Sequence, residues 1–184
     1  MNNTKNKKES HRKLLLDRRQ KYAISENIEI AILDNLTRFL ETSQSIGGFV
    51  GLYWPLNGEI DTLKIASQLS NIALPKLVDD SMVFVKYTKG EALEESGIGG
   101  LMQPSTGAEV LPGIVIVPGL AFSLDGYRLG FGKGYYDRYF AKSKNADIIS
   151  VGICPHEDLQ EHLPHEEHDH KFDYIITDKI TLKI

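Results

Sequence analysis

The chain has 184 residues, 41% of them hydrophobic and 25% charged, and a formal net charge of −4 at pH 7. That length suits one domain, residues 1–184, with a sizeable buried core, and the composition is that of an ordinary folded globular protein. The negative balance provides no general basic field for a phosphate backbone, so no nucleic-acid partner is expected.

Met1 to Asn6 are polar and are expected to be mobile. A first helix is expected from Lys7 to about Tyr22, where Lys8, Arg12 and Arg19 share one narrow face with Leu15. Leu14–Leu16 is the longest apolar run near this end. It is too short for a signal-peptide core or a membrane span, which makes the cytoplasm the expected compartment and excludes a membrane partner. A second helix begins after Ser25, with Ile28, Ala31, Ile32, Leu36, Phe39 and Leu40 as its apolar stripe.

Short apolar runs then read as buried strands: Phe49–Tyr53, Ile72–Leu77, Met82–Tyr87, Ile114–Val117, Ile148–Ile153 and Tyr174–Thr177. A helical pattern covers Asp61–Ser70, and Asp79–Asp80–Ser81 is a turn between two strands. The stretch from Glu91 to Gly113, rich in Gly and Pro, reads as a long loop. Strands alternating with helices predict an α/β domain, a mostly parallel sheet covered by helices on both faces in a Rossmann-like three-layer arrangement. Cys154, the single cysteine, excludes an internal disulfide. Five of the six histidines fall between His156 and His170 in an acidic, Pro-containing stretch that reads as a solvated loop rather than a zinc site.

The segment with chemistry in it follows the strand Ile114–Val117. It runs from Pro118 to Arg138 and contains Gly130, Gly132 and Gly134 just before a helical pattern that starts near Tyr135. Alternating glycines let a backbone curl with its N–H groups inward, and the helix start adds unpaired donors and partial positive charge. Arg128, Lys133 and Arg138 bring three cations to that place, and Asp137 beside them makes sense if a divalent metal lies between it and a phosphate. The spacing is neither the Walker loop nor the dinucleotide fingerprint.

The run Arg128-Leu-Gly-Phe-Gly-Lys-Gly-Tyr-Tyr-Asp137-Arg138, after Val117-Pro-Gly-Leu-Ala-Phe122, resembles the signature of the 5-formyltetrahydrofolate cyclo-ligase family. The likeness extends through Tyr53-Trp54-Pro-Leu-Asn-Gly-Glu59-Ile-Asp61-Thr62, Leu74-Pro75-Lys76, and His168-Asp169 leading to Phe172-Asp173-Tyr-Ile-Ile. It implies an ATP-dependent cyclisation of 5-formyltetrahydrofolate to 5,10-methenyltetrahydrofolate, with ATP and the folate as small-molecule partners and no obligatory protein partner. By the same resemblance Lys8, Arg12, Arg128, Gly130, Gly132, Lys133, Gly134, Tyr135 and Tyr136 would meet ATP. Trp54, Glu59, Phe131, Gly132 and Tyr135 would meet the folate. Lys133, Arg128 and Arg138 would be catalytic, and Asp137 with Asp169 would hold Mg²⁺. The chain departs from the family pattern at His11, where leucine is usual before arginine, and at Gln103, where glutamate often precedes the proline. Two other readings stay open: an enzyme with the same nucleotide site and another substrate, and a non-catalytic nucleotide-binding protein. The segment Trp54–Glu59 discriminates the first, and turnover the second.

Overall fold

The computed structural model describes residues 2–21, 23–43, 48–56, 58–143 and 147–184. The expected mobility of Met1, the expected helix end at Tyr22, and Asn57 of the Trp54–Glu59 segment lie outside them. Helix α1 spans Asn2–Lys21, so residues 2–6 are helical and the helix starts before Lys7. Helix α2 spans Glu26–Thr42. The Ser25 hydroxyl accepts from the Ile28 N–H and caps its first turn, while Ile32, Leu33, Leu36 and Leu40 are buried.

Thirteen strands follow among the described residues. They are β1 (Phe49–Gly51), β2 (Ile72–Val78), β3 (Ser81–Tyr87), β4 (Leu93–Glu95), β5 (Met102–Pro104), β6 (Glu109–Val110), β7 (Pro112–Pro118), β8 (Ala121–Ser123), β9 (Arg128–Leu129), β10 (Ile149–Ile153), β11 (Leu159–Gln160), β12 (Tyr174–Ile176) and β13 (Thr181–Lys183). The main sheet runs β13-β12-β10-β7-β1-β2-β3-β6. Its five central strands, β12 to β2, pair in parallel, while β13, β3 and β6 add antiparallel edges.

Alternation along β7 shows why the sheet needs two covers. Ile114 and Ile116 join a core with α2, whereas Val115 and Val117 join one with Tyr139 and Phe140 of helix α3 (Tyr135–Lys142). This is the expected three-layer α/β arrangement. A smaller sheet, β11-β8-β9, lies beside it, and Leu120, Ala121 and Leu129 pack with Leu15 of α1.

Three further sequence expectations change. The element expected over Asp61–Ser70 is a 3₁₀ helix, Thr62–Gln68, with Asp61 accepting from the Leu63 N–H. The strand expected to reach Tyr53 ends at Gly51. The Glu91–Gly113 loop contains β4, β5, β6 and the start of β7. Its strands are two or three residues long before β7, too short for an apolar period to show.

Candidate active site

A cleft of about 550 Å³ opens past the carboxyl ends of β1 and β7. The chain leaves β1 towards Tyr53 and Trp54, and β7 ends at Pro118. All three residues line the same space. Every residue proposed from sequence also lines it: Lys8, Arg12, Trp54, Glu59, Arg128, Gly130, Phe131, Gly132, Lys133, Gly134, Tyr135, Tyr136, Asp137, Arg138 and Asp169.

The glycine loop is curled as its spacing requires. Gly132 has φ 92° and Gly134 φ 67°, left-handed values that side-chain-bearing residues resist. Each also has an arginine against it. A Cβ on Gly132 would lie 3.3 Å from the Arg12 guanidinium carbon, and one on Gly134 2.9 Å from Nη1 of Arg138. Arg12 Nε donates to the Gly130 carbonyl at 2.9 Å, which ties α1 to the loop. Phe131, between two glycines, is 43% exposed on the rim, an aromatic surface without a protein cover.

The cations divide into two kinds. Arg128 donates to the Pro118 carbonyl at 3.0 Å, approaches Asp137 Oδ2 at 3.6 Å, and lies over the Tyr136 ring at 5.1 Å. Arg138 donates to the carbonyls of Asp80 and Lys133, both at 2.9 Å. These two guanidiniums therefore brace the loop as well as charging it. The Lys133 ammonium is exposed and has no hydrogen bond or ion pair among the described residues. Among the cations of the loop it is the one most available to an incoming anion.

Lys8 is buried, 5% exposed, between Glu166 at 2.9 Å and Asp169. The ammonium holds the Glu166 carboxyl below the usual carboxylate range. Asp169 also accepts from the Glu166 N–H, and Asp137 accepts from the His170 N–H at 3.3 Å. One chain segment, Glu166–His170, thus meets both α1 and the first turn of α3.

At the other end, Tyr53 is buried and donates through its hydroxyl to the Ile60 carbonyl at 2.6 Å. Glu59 accepts from the Leu56 N–H at 2.8 Å, closing the Trp54–Glu59 segment on itself. Burial pushes the Glu59 carboxyl above its ordinary value, against the Leu56 hydrogen bond and the nearby Arg19 and Arg128. Burial likewise raises the Tyr136 phenol. A partly dry carboxylate beside an indole suits a flat ring with N–H donors on its edge.

Several lining residues carried no site role from the sequence, although His168 belongs to the family resemblance. Glu166 and His168 stand in the histidine-rich stretch, whose histidines separate into different surroundings instead of converging. His165 stacks on Tyr127, His170 stacks on Phe140, and His156 approaches the Thr177 hydroxyl. Among the described residues, Glu166, His168 and Asp169 form a group with ligand atoms within 4.8 Å of one another. Ile98 and Leu101 reach the cleft from the tip between β4 and β5. No described helix is long and apolar enough to cross a membrane.

Over residues 4–178 the sequence matches the profile of the 5-formyltetrahydrofolate cyclo-ligase family. A Haemophilus influenzae protein named 5-formyltetrahydrofolate cyclo-ligase is 30% identical over 132 residues, covering 65% of this chain and 70% of that protein. The NMR structure of Aquifex aeolicus 5,10-methenyltetrahydrofolate synthetase superposes with a TM-score of 0.81 at 30% identity, covering 96% of this chain and 92% of that one. The Mycoplasma pneumoniae 5,10-methenyltetrahydrofolate synthetase shares the fold at 24% identity, with a TM-score of 0.73 over 93% of this chain and 98% of that one. With the match running through both ends of the cleft, the chain belongs to the 5-formyltetrahydrofolate cyclo-ligase family.

Proposed function

We propose that this chain is an ATP-dependent 5-formyltetrahydrofolate cyclo-ligase acting in the cytoplasm. The observation that carries the reading is the single cleft with two unlike ends: a curled glycine loop with an exposed ammonium at one, and an aromatic pocket with a half-buried carboxylate at the other. A phosphate donor and a flat heterocycle fit side by side.

The chemistry asks for such a pairing. A formamide carbon is a poor electrophile and its oxygen a poor leaving group. Transfer of the γ-phosphoryl group from ATP to the formyl oxygen releases ADP and makes that oxygen part of a phosphate ester. N10 then attacks the formyl carbon and loses its proton. The carbon–oxygen bond breaks, phosphate departs, and the new ring carries the methenyl bridge.

In such a transfer the protein positions the partners and neutralises charge. Lys133 reaches the transferring group, and the loop N–H groups of residues 130–134 with Arg12 hold the phosphates. Arg128 and Arg138 fix the loop and add field. Tyr135 and Tyr136 flank the loop where it enters α3. Glu59 accepts from the pterin edge, while Trp54, Phe131 and Tyr135 offer ring surface. Asp137 and Asp169 supply oxygen donors of the kind Mg²⁺ takes, and among the described residues Asp137 makes only two long contacts, so its carboxylate can serve a cation. Mg²⁺ there would neutralise charge on the phosphates.

Mixing the protein with 5-formyltetrahydrofolate and Mg-ATP tests the reading. The near-ultraviolet absorbance of the methenyl product should rise only with all components present. Lys133→Ala should lower kcat by about 10²- to 10³-fold, the usual effect of removing one group directed at developing charge. Nucleotide binding with no turnover would favour a non-catalytic binding protein, and a normal kcat in the variant would remove Lys133 from the mechanism.

A further inference from the structure

We infer that Gln103 and Lys76 are positioning residues that clamp the β4–β5 hairpin onto β2, so that its tip walls the folate end of the cleft. The inference rests on the folate reading of that end.

The hairpin needs a clamp. Its strands have three residues each and among the described residues pair only with one another, a unit of marginal stability in water. Strand β2 in turn has a vacant edge. Its parallel partner β1 registers with Ile72 and Ala73, and among the described residues no strand lies beside Leu74–Val78 on that side.

The Gln103 side chain substitutes for the missing strand. Its Oε1 accepts from the Leu77 N–H at 2.9 Å, and its Nε2 donates to Glu94 Oε1 at 3.1 Å on the opposite strand of the hairpin. Lys76 completes a ring of contacts. Its Nζ donates to the carbonyls of Pro104 at 3.0 Å and Ser105 at 2.8 Å, and lies 3.1 Å from the same Glu94 oxygen. Gln103 is 7% exposed, so a neutral amide that satisfies both a backbone donor and a carboxylate is the residue the site can bury. Gln103 and Lys76 together hold the Glu94 carboxyl below its usual range.

The clamp acts on one wall of the cleft. The tip folds back through a bond from the Leu101 N–H to the Ile98 carbonyl at 2.9 Å, which presents both side chains to the cleft. At the tip a Cβ on Gly100 would meet Leu56 Cδ2 at 4.0 Å, beside the Glu59 turn. The glycine loop makes none of the clamp's contacts. Loosening the clamp should therefore affect folate and spare ATP.

Steady-state kinetics of the full chain tests this, with wild-type turnover as the control for the activity itself. Gln103→Ala should raise the KM for 5-formyltetrahydrofolate about tenfold, equivalent to ~1.4 kcal/mol. The KM for ATP and kcat should stay within about twofold, as expected when only substrate binding is lost. Exchanging the two groups, Gln103→Glu with Glu94→Gln, keeps an acceptor for Leu77, a partner for Lys76 and a donor between the strands. That pair should restore most of the folate KM. Equal rises in both KM values, or no recovery in the exchanged pair, would overturn the clamp. Should wild type show no folate turnover, the proposed activity fails, and limited proteolysis still reads the clamp. Cutting between Ser96 and Leu101 should be faster in Gln103→Ala and slow again in the exchanged pair, and equal rates would refute it. If Gln103→Ala does not fold, Lys76→Met replaces it in both measurements.

Discussion

His170 is held uncharged. Its ring stacks on Phe140 at 3.9 Å between centroids and meets Phe172 edge-on at 5.0 Å, and its buried Nε2 has no partner among the described residues. Burial depresses its pKa to about 4, with Arg128 adding to the effect and the nearby Asp173 and Asp137 opposing it. Between pH 6.5 and about 4 the unfolded chain therefore binds a proton there that the folded chain refuses. Stability should fall with decreasing pH across that window and be fully present above it. His170→Phe keeps the stacking and the backbone bond to Asp137 but removes the titration, so its thermal midpoint should decline less on acidification than the wild type's. Parallel declines for the two proteins would mean that the imidazole is solvated. Nothing in the sequence distinguishes His170 from its four neighbouring histidines, because the distinction comes from Phe140, thirty positions earlier. Gly132 and Gly134 were legible for the opposite reason, since their left-handed backbone is written in the residue type itself.

Helix α1 shows the same division at the scale of an element. Its inward face was readable: Lys8 and Leu15 are buried, while Arg12 and Arg19 reach the carbonyls of Gly130 and Gly119. Its start was not, because residues 2–6 are as polar as a loop would be and their helicity is not an apolar pattern. Its partners were not readable either, since Glu166 and Asp169 lie more than 150 residues away. The anchor of its second half is Asp158, 2% exposed, which pairs with Arg18 and lies 3.7 Å from Arg19. The Arg18 side chain is 36% exposed but that of Arg19 only 12%, so removal of the Asp158 charge leaves a largely buried guanidinium without its counter-charge. Asp158→Asn should cost about 3 kcal/mol in urea unfolding. It should also expose α1 to proteases before the sheet unfolds. A loss of only a few tenths would class the pair with exposed, solvent-screened bridges.

For the whole molecule, strand order explains where the cleft is. From β1 the chain proceeds through β2 and β3 on one side, and from β7 through β10 and β12 on the other, so β1 and β7 flank the point where the order reverses. In open α/β sheets that reversal leaves a crevice beyond the carboxyl ends of the two strands. Strands β1, β2, β3, β7, β10 and β12 were legible because each lies in a longer apolar run of the sequence, whereas β8, β9, β11 and β13 were not. Two or three residues outside such a run cannot show a period, and their pairing depends on distant segments. The cleft is walled by α1, the Trp54–Glu59 turn, the β4–β5 tip, the glycine loop and the Glu166–Asp169 segment, drawn from across the chain. A ligand that fills it couples these pieces to the sheet. A non-hydrolysable ATP analogue with Mg²⁺, or 5-formyltetrahydrofolate, each at a hundred times its Kd, should stabilise the fold by about 2.7 kcal/mol. If the two ends of the cleft are separate subsites, the ligands together should give about twice that stabilisation. Amide exchange should then slow in α1 and residues 130–134 with the nucleotide analogue, and in Leu93–Pro104 with the folate. A second ligand that adds no stability would mean that both compete for one place, and the side-by-side arrangement that the proposed phosphoryl transfer requires would be excluded.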